Sequence, residues 1–315
     1  MKKLLLSALA IASVVACEKN EVVEQLPAAI NFEQTYVKTS TRATDPSTTT
    51  KSINAFDVWA FVNQPSGIVL VDEDVTKDAT TDKWTYRNVQ YWMPGNEYYF
   101  GALAPMNSDN WALNTTNANT YGAGVLTFTN VNGSEDLLYA AAHVSTEGKK
   151  IGDNFESVKL TFNHLLSKIK FTFKNEFVTD NVTMKVSGIT MSSPKTGTID
   201  LAVENWWDNN DWKKGNESFD LAFGDVQTLS CGQVATCADE RLTIPVTNFT
   251  HTVKFNIKLY LGDVEAYSVD ITREIPGHTF QMGKAYNIQT VVTPEKLNLQ
   301  AIDFEIIEVK EWDNV

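Results

Sequence analysis

From Phe56 onward the chain is written in short runs rich in Val, Phe, Tyr, Trp and Thr, broken by Asn, Asp and Gly. Phe56 to Val62, Trp84 to Trp92, Tyr98 to Ala102, Val125 to Val131 and Leu137 to Ala141 form one group of strand length. A second group comprises Val158 to Phe162, Lys168 to Phe173, Val182 to Met191, Thr198 to Val203, Leu242 to Val246, Thr252 to Leu261, Tyr267 to Arg273, Tyr286 to Val292 and Ala301 to Val309. β-Branched and aromatic residues suit a pleated, half-buried surface, and the Asn, Asp and Gly between them are turn formers. No long amphipathic helix intervenes, so the pattern predicts an all-β chain of β-sandwiches and not alternating α/β layers. At 315 residues the chain exceeds what one core usually fills. Two blocks are expected, 43–150 and 151–315, parted at the polar stretch Lys149-Lys150-Ile151-Gly152-Asp153.

The two ends carry patterns of their own. Lys2 and Lys3 precede an apolar run from Leu4 to Ala16 that is too short to span a bilayer, so residues 1–16 read as a secretory signal. The run closes Ser13-Val14-Val15-Ala16-Cys17, which resembles the lipobox of bacterial lipoproteins and makes Cys17 the lipidation site. The alternative is a plain secreted protein with Cys17 unmodified. Acyl chains contribute about 0.8 kcal/mol per buried methylene, enough to hold a protein on a membrane without a spanning helix. Residues 17–42 then form a polar tether with a short strand, in which Ile30 and Phe32 alternate with Asn31 and Glu33. The Thr- and Ser-rich segment from Thr39 to Thr50 has no apolar period and contains Pro46, so it is an exposed linker. Of four arginines, three fall in or beside expected strands, and Arg42 alone lies in this linker. At the other end Ile302, Phe304 and Ile306 share one face, whereas Ile307 and Val309 follow the opposite parity, which predicts a bulge or bend. That strand is either the last of the second sandwich or one given to a neighbour, and composition does not separate the two.

Candidate chemistry is sparse. With 26 Lys and Arg against 39 Asp and Glu the net charge is −13, which argues against a nucleic-acid partner. The four histidines show no metal-ligand spacing, and His164, between apolar neighbours, reads as a hydrogen-bonded structural residue. There is no phosphate loop, nucleophile elbow or triad order, so no catalytic residue, metal or cofactor is expected and the chain does not read as an enzyme. Cys231 and Cys237 can close a small disulfide loop after export, or remain two thiols. Trp206, Trp207 and Trp212 surround Asp208-Asn209-Asn210-Asp211; such a loop can stack on sugars or hold calcium, but more often folds back as a plug over the end of a core.

A resemblance joins these fragments. Cys17, Thr41-Arg42-Ala43, Asp136-Leu137-Leu138-Tyr139-Ala140, the segment from Val158 to Ile169, and Gly283-Lys284-Ala285-Tyr286 before a strand ending at Trp312 together resemble the fimbrillin-like lipoproteins of Bacteroidales, the subunits of type V pili. The resemblance implies two tandem transthyretin-like β-sandwich domains and export as an acylated precursor to the outer membrane. It also implies cleavage by an arginine-specific protease after Arg42, leaving Ala43 as the new N-terminus, loss of the strand bearing Ile30 and Phe32, and polymerisation by donor-strand exchange into a surface fimbrium. The expected donor is the strand with Ile302, Phe304, Ile306 and Val309, and the expected partners are other pilin subunits, head to tail. The runner-up is a pilus-tip adhesin, or a surface glycan-binding lipoprotein that meets a host surface and never polymerises.

Overall fold

The structure, a computed structural model, describes residues 26–33, 36–37, 53–63, 67–115, 122–202, 211–275, 280–298 and 302–312. The strands among these begin with β1 (Tyr36–Val37), β2 (Ala55–Val62), β3 (Ile68–Lys77), β4 (Trp84–Thr85), β5 (Glu97–Ala104), β6 (Trp111–Asn114), β7 (Gly122–Thr129), β8 (Leu138–Ser145) and β9 (Thr161–His164). They continue with β10 (Ser167–Asn175), β11 (Val182–Pro194), β12 (Thr196–Ala202), β13 (Lys213–Lys214), β14 (Ser218–Ala222), β15 (Val226–Leu229) and β16 (Val234–Thr236). The last are β17 (Arg241–Thr243), β18 (Thr252–Leu261), β19 (Val264–Glu274), β20 (Lys284–Val292) and, after the short helix α1 (Pro294–Asn298), β21 (Glu305–Glu311). The all-β expectation holds, and no helix among the described residues is long and apolar enough to cross a membrane.

A seven-stranded sheet, β1-β9-β8-β5-β2-β3-β4, lies at the centre of the first block. Side chains alternate along a strand. In β2, Phe56, Val58, Ala60 and Val62 enter one core while Trp59 and Phe61 enter another. The neighbouring β5 divides the same way, with Tyr98, Phe100 and Ala102 on one face and Tyr99 and Leu103 on the other. Because both faces are apolar, both have to be covered. One packs on Leu126, Phe128, Ile199 and Leu201 of a four-stranded sheet, β13-β12-β7-β6. The other is covered by residues outside the regular strands, Ile30, Phe32, Trp92, Val158 and Leu160.

The remaining strands form two facing sheets, β16-β10-β20-β21 with β17 against β10, and β14-β11-β18-β19 with β15 against β11. They enclose a core that includes Phe171, Phe173, Met184, Ile257 and Ile288. Pairing crosses the seam expected at 150/151. β8 bonds to β9, and β7 bonds to β12, so strands beyond residue 151 complete both sheets of the first block. Lys149 to Asp153 is a polar turn within that block, closed by Lys150 and Asp153 through mutual hydrogen bonds. Buried Leu165 and Leu166 carry the chain from β9 into β10, where the two halves meet.

Two further departures share one cause. β3, which carries Asp72-Glu73-Asp74, is not among the strands expected from the sequence, and the expected strand from Trp84 to Trp92 pairs only over Trp84–Thr85. Glu73 points inward, and its carboxylate accepts from the Arg87 and Asn88 amides (2.8 and 2.9 Å) and from Asn88 Nδ2 (2.7 Å). Those bonds turn residues 86–92 off the sheet edge and back across its face.

Candidate assembly site

Residues 28–33 lie extended over the face of the seven-stranded sheet and are bonded on both sides. On one side Ile30 N–H donates to Gln90 O (2.8 Å) and Trp92 N–H to Ala28 O (2.9 Å), with Ala29 opposite Tyr91 in antiparallel register. On the other, Val158 N–H donates to Asn31 O (2.7 Å) and Glu33 N–H to Val158 O (3.1 Å), with Phe32 beside Val158 in parallel register. Further along, β1 pairs in parallel with β9, placing Val37 beside Phe162.

The alternation seen in the sequence is the alternation of burial. Ile30 is 0% and Phe32 5% exposed, while Asn31 faces out. The Phe32 ring meets Phe56, Tyr86 and Phe100 edge to face at 5.5, 5.8 and 6.2 Å, the arrangement that aromatic quadrupoles favour. The Tyr86 hydroxyl donates to Ile30 O (2.8 Å) and accepts from the Gln90 amide (3.2 Å), and burial pushes its pKa above the ordinary value, so it stays a donor. Burying two side chains of this size contributes about 3–6 kcal/mol. Without residues 28–33, Phe56 and Phe100 lose their cover and the Trp92 and Val158 amides lose their acceptors. A cleft of about 350 Å³ borders the segment, lined by Asn31, Glu33, Lys77, Asp82, Lys83 and Trp84. The residues that build this seat, Glu73, Tyr86, Trp92, Phe100 and Val158, were not singled out from the sequence. No local signal marks them: Glu73 stands between Asp72 and Asp74, and Tyr86 between Thr85 and Arg87.

The C-terminal strand is docked on its own sandwich. β21 is an edge strand antiparallel to β20, and a register shift between Asn287 and Ile288 makes Glu308 and Ile306 their partners, leaving Ile307 unpaired in the ladder. This is the bulge that the parity change predicts. Ile302 and Phe304 are buried in the second core, where Phe304 meets Phe171 and Phe255 at 5.9 Å each, and Ile306 is half-buried. Ile307 and Val309, 44% and 50% exposed, are outside it.

Other sequence candidates fall elsewhere. Cys17, Arg42, Ala43, Trp206 and Trp207 lie outside the described residues. Trp212 is no exposed platform: it is 2% exposed, its indole N–H donates to Leu165 O (2.9 Å), and its ring packs beside Phe128. The apolar ring is worth more in the core between the halves than in water, as the plug alternative had it. Cys231 and Cys237 are separate thiols, which corrects the disulfide expectation. Gly232 N–H bonds to Asn175 O while Cys237 N–H bonds to Phe171 O, so β16, extended along β10, sets the two cysteines about four strand steps, or roughly 13 Å, apart. A bridge needs Cα atoms within about 7 Å. Burial pushes the Cys237 thiol up to about 12, leaving it a small apolar group. His164 is buried, bonded to Asp136 (2.8 Å) and stacked on Trp312 at 3.8 Å, tying the end of β21 to the junction. Among the described residues no cluster of three His, Cys, Asp or Glu is arranged to hold a metal ion.

These features define an all-β protein in which a short extended segment, residues 28–33, closes an apolar face of the first block. The chain belongs to the fimbrillin-like family, whose model matches residues 41–312. It is similar to fimbrium subunit Fim1C of Phocaeicola vulgatus, with 25% identity over 235 residues, 67% of this chain and 62% of that protein. The match thus spans less than two thirds of that relative. Among solved structures, a fimbrial protein from Bacteroides vulgatus superposes with a TM-score of 0.62 at 16% identity, covering 90% of this chain and 99% of that one. A cell adhesion protein, described as putative, from Bacteroides ovatus gives a TM-score of 0.49 at 15% identity, covering 92% and 98%.

Proposed function

We propose that this chain is a fimbrial subunit made as a lipoprotein on Cys17, activated by cleavage after Arg42 and polymerised at the cell surface by strand donation between copies. The observation that carries this reading is the burial of Ile30 and Phe32: both are core residues of the first block, yet they lie on the far side of the linker that holds Arg42. While the linker is intact, the segment is held at its seat by an effective concentration in the millimolar range. Once cut, the same contacts have to offset the loss of translational and rotational freedom, on the order of 4–15 kcal/mol, and a segment held by two large side chains becomes exchangeable. The vacated face has unpaired amides beside exposed aromatic rings, a surface that a strand from another chain can complete. Donor and acceptor are different surfaces, so the contact repeats head to tail into an open filament.

Substituting Arg42→Ala tests the reading. Uncleaved protein is expected to remain monomeric by sedimentation and electron microscopy after treatment with an arginine-specific protease, whereas the parent forms filaments. Filaments of full-length, uncut Arg42→Ala protein would refute activation by cleavage. The glycan-binding alternative loses Trp212 as a stacking platform.

A further inference from the structure

Two stretches of this chain spell nearly the same strand. Residues 29–38 read Ala-Ile-Asn-Phe-Glu-Gln-Thr-Tyr-Val-Lys, and residues 301–310 read Ala-Ile-Asp-Phe-Glu-Ile-Ile-Glu-Val-Lys. Six of the ten positions are identical without a gap, and a seventh sets Asn against Asp. Their seats are alike as well. Each Ile and Phe is buried with an exposed residue between them. Phe32 lies between Phe56 and Phe100 at 5.5 and 6.2 Å, and Phe304 between Phe171 and Phe255 at 5.9 Å each. Each Ile carbonyl accepts from a long polar side chain, Tyr86 Oη for Ile30 (2.8 Å) and Arg273 Nε for Ile302 (3.2 Å).

We propose that residues 301–309 of a second copy occupy the place that residues 29–33 and 36–37 hold in this structure, in the same direction and register, with Ile302 where Ile30 sits, Phe304 where Phe32 sits and Val309 beside Phe162. This rests on the strand-donation reading and adds to it the donor's alignment. It also removes the conflict between the two parity sets, because Ile30, Phe32 and Val37 have the same spacing as Ile302, Phe304 and Val309.

The differences between the two stretches indicate why the exchange runs forward. Moving Ile302 and Phe304 from their own core to a neighbour's is like for like and gains little. Asp303, however, would replace Asn31 at the cleft whose lining includes Lys77 and Lys83, bringing a further negative charge to a lining that already holds Glu33 and Asp82, the latter 2.6 Å from Lys77. Ile306 and Ile307 would replace Gln34 and Thr35, and Ile307 is 44% exposed on its own edge. Against these, Glu308 would replace Tyr36, and Asp303 cannot make the bond that Asn31 Nδ2 donates to Ala29 O (3.1 Å), so the gain of the incoming strand lies in its two isoleucines.

Cross-linking tests the register. Ala29 and Tyr91 form a pair flanked by, and not sharing, the Ile30–Gln90 and Trp92–Ala28 bonds, so their Cα atoms are close enough for a disulfide. In subunit clipped after Arg42, with Cys231→Ser and Cys237→Ala, the pair Tyr91→Cys and Ala301→Cys is expected to link copies within filaments. Tyr91→Cys with Ile306→Cys, the pair for a five-residue shift that seats Ile307 and Val309, should link at least about tenfold less. Preferential linking through position 306 would overturn the register but leave strand donation standing. Filaments with no link through either position would overturn both. A second measurement needs no filament: a labelled peptide of residues 301–312 should bind clipped subunit, be displaced by a peptide of residues 26–38, and lose about tenfold or more on Phe304→Ser. Binding that the 26–38 peptide fails to displace would show that the two do not share a seat.

Discussion

Asp57 is the residue most at odds with its surroundings. It sits on β2 opposite Asp74 on β3, fully buried, with Oδ2 accepting from the Asn107 amide at 2.9 Å and Oδ1 without a hydrogen-bond partner. Burial raises its pKa from 3.8 to about 7; Asp74 and Asp72 push the same way, against the Asn107 bond. Below pH 3.8 both folded and unfolded chains hold this proton. Between there and about 7 only the folded chain keeps it, so the group's contribution lowers stability as pH rises through that window and then levels off. Asp57→Asn removes the titration while keeping an acceptor for Asn107. Denaturant midpoints measured from pH 4 to pH 8 should show the variant gaining on the parent with rising pH and ahead at pH 8. A constant difference across that range would mean that the Asp57 carboxyl titrates at its ordinary value.

At the scale of elements, the segment around Ile30 and Phe32 is part of the first core although β2, the next strand of that core along the chain after β1, begins only at Ala55. Phe32→Ala in uncut protein leaves a hole among Phe56, Tyr86 and Phe100, and a loss of about 3–5 kcal/mol is expected in equilibrium unfolding followed by aromatic fluorescence. A loss below about 1 kcal/mol would mean that the face closes without this ring. The alternation Ile30-Asn31-Phe32-Glu33 made the strand legible in the sequence, and the parity break at Ile307 made the bulge legible, because a period of two is a local property. The seat was not legible, since Glu73, Tyr86 and Val158 meet the segment only after β3, residues 86–92 and residues 155–160 converge from distant parts of the chain. The seam at 150/151 went astray for the same reason: composition marks a polar turn, but only long-range pairing of β7 with β12 decides which block a strand joins. Cys231 and Cys237 are near enough in sequence that a bridge and two thiols were both open, and the extended strand between them decides for the thiols.

At the scale of the whole molecule, charge opposes assembly. Residues 1–16 carry +2 and residues 17–42 carry −1 of the total of −13, so a subunit cut after Arg42 keeps −14. Two such subunits repel over distances comparable with the Debye length, about 10 Å at 0.1 M salt and about 30 Å at 0.01 M. Strand insertion is driven at short range by apolar burial and backbone pairing, which salt screens little. The attraction of Asp303 for Lys77 and Lys83 acts in the opposite sense, but it involves one charge at a cleft that already holds Glu33 and Asp82, against a repulsion summed over both surfaces. Raising salt from about 0.02 to 0.3 M should therefore speed filament growth of clipped subunit several-fold, read by light scattering at fixed concentration. A growth rate that falls steadily over the same series would mean that opposite charges, and not the apolar strand, hold neighbouring copies together. In that case Asp303→Asn should abolish the salt dependence, which separates a charge-driven joint from one in which Asp303 only adjusts the fit.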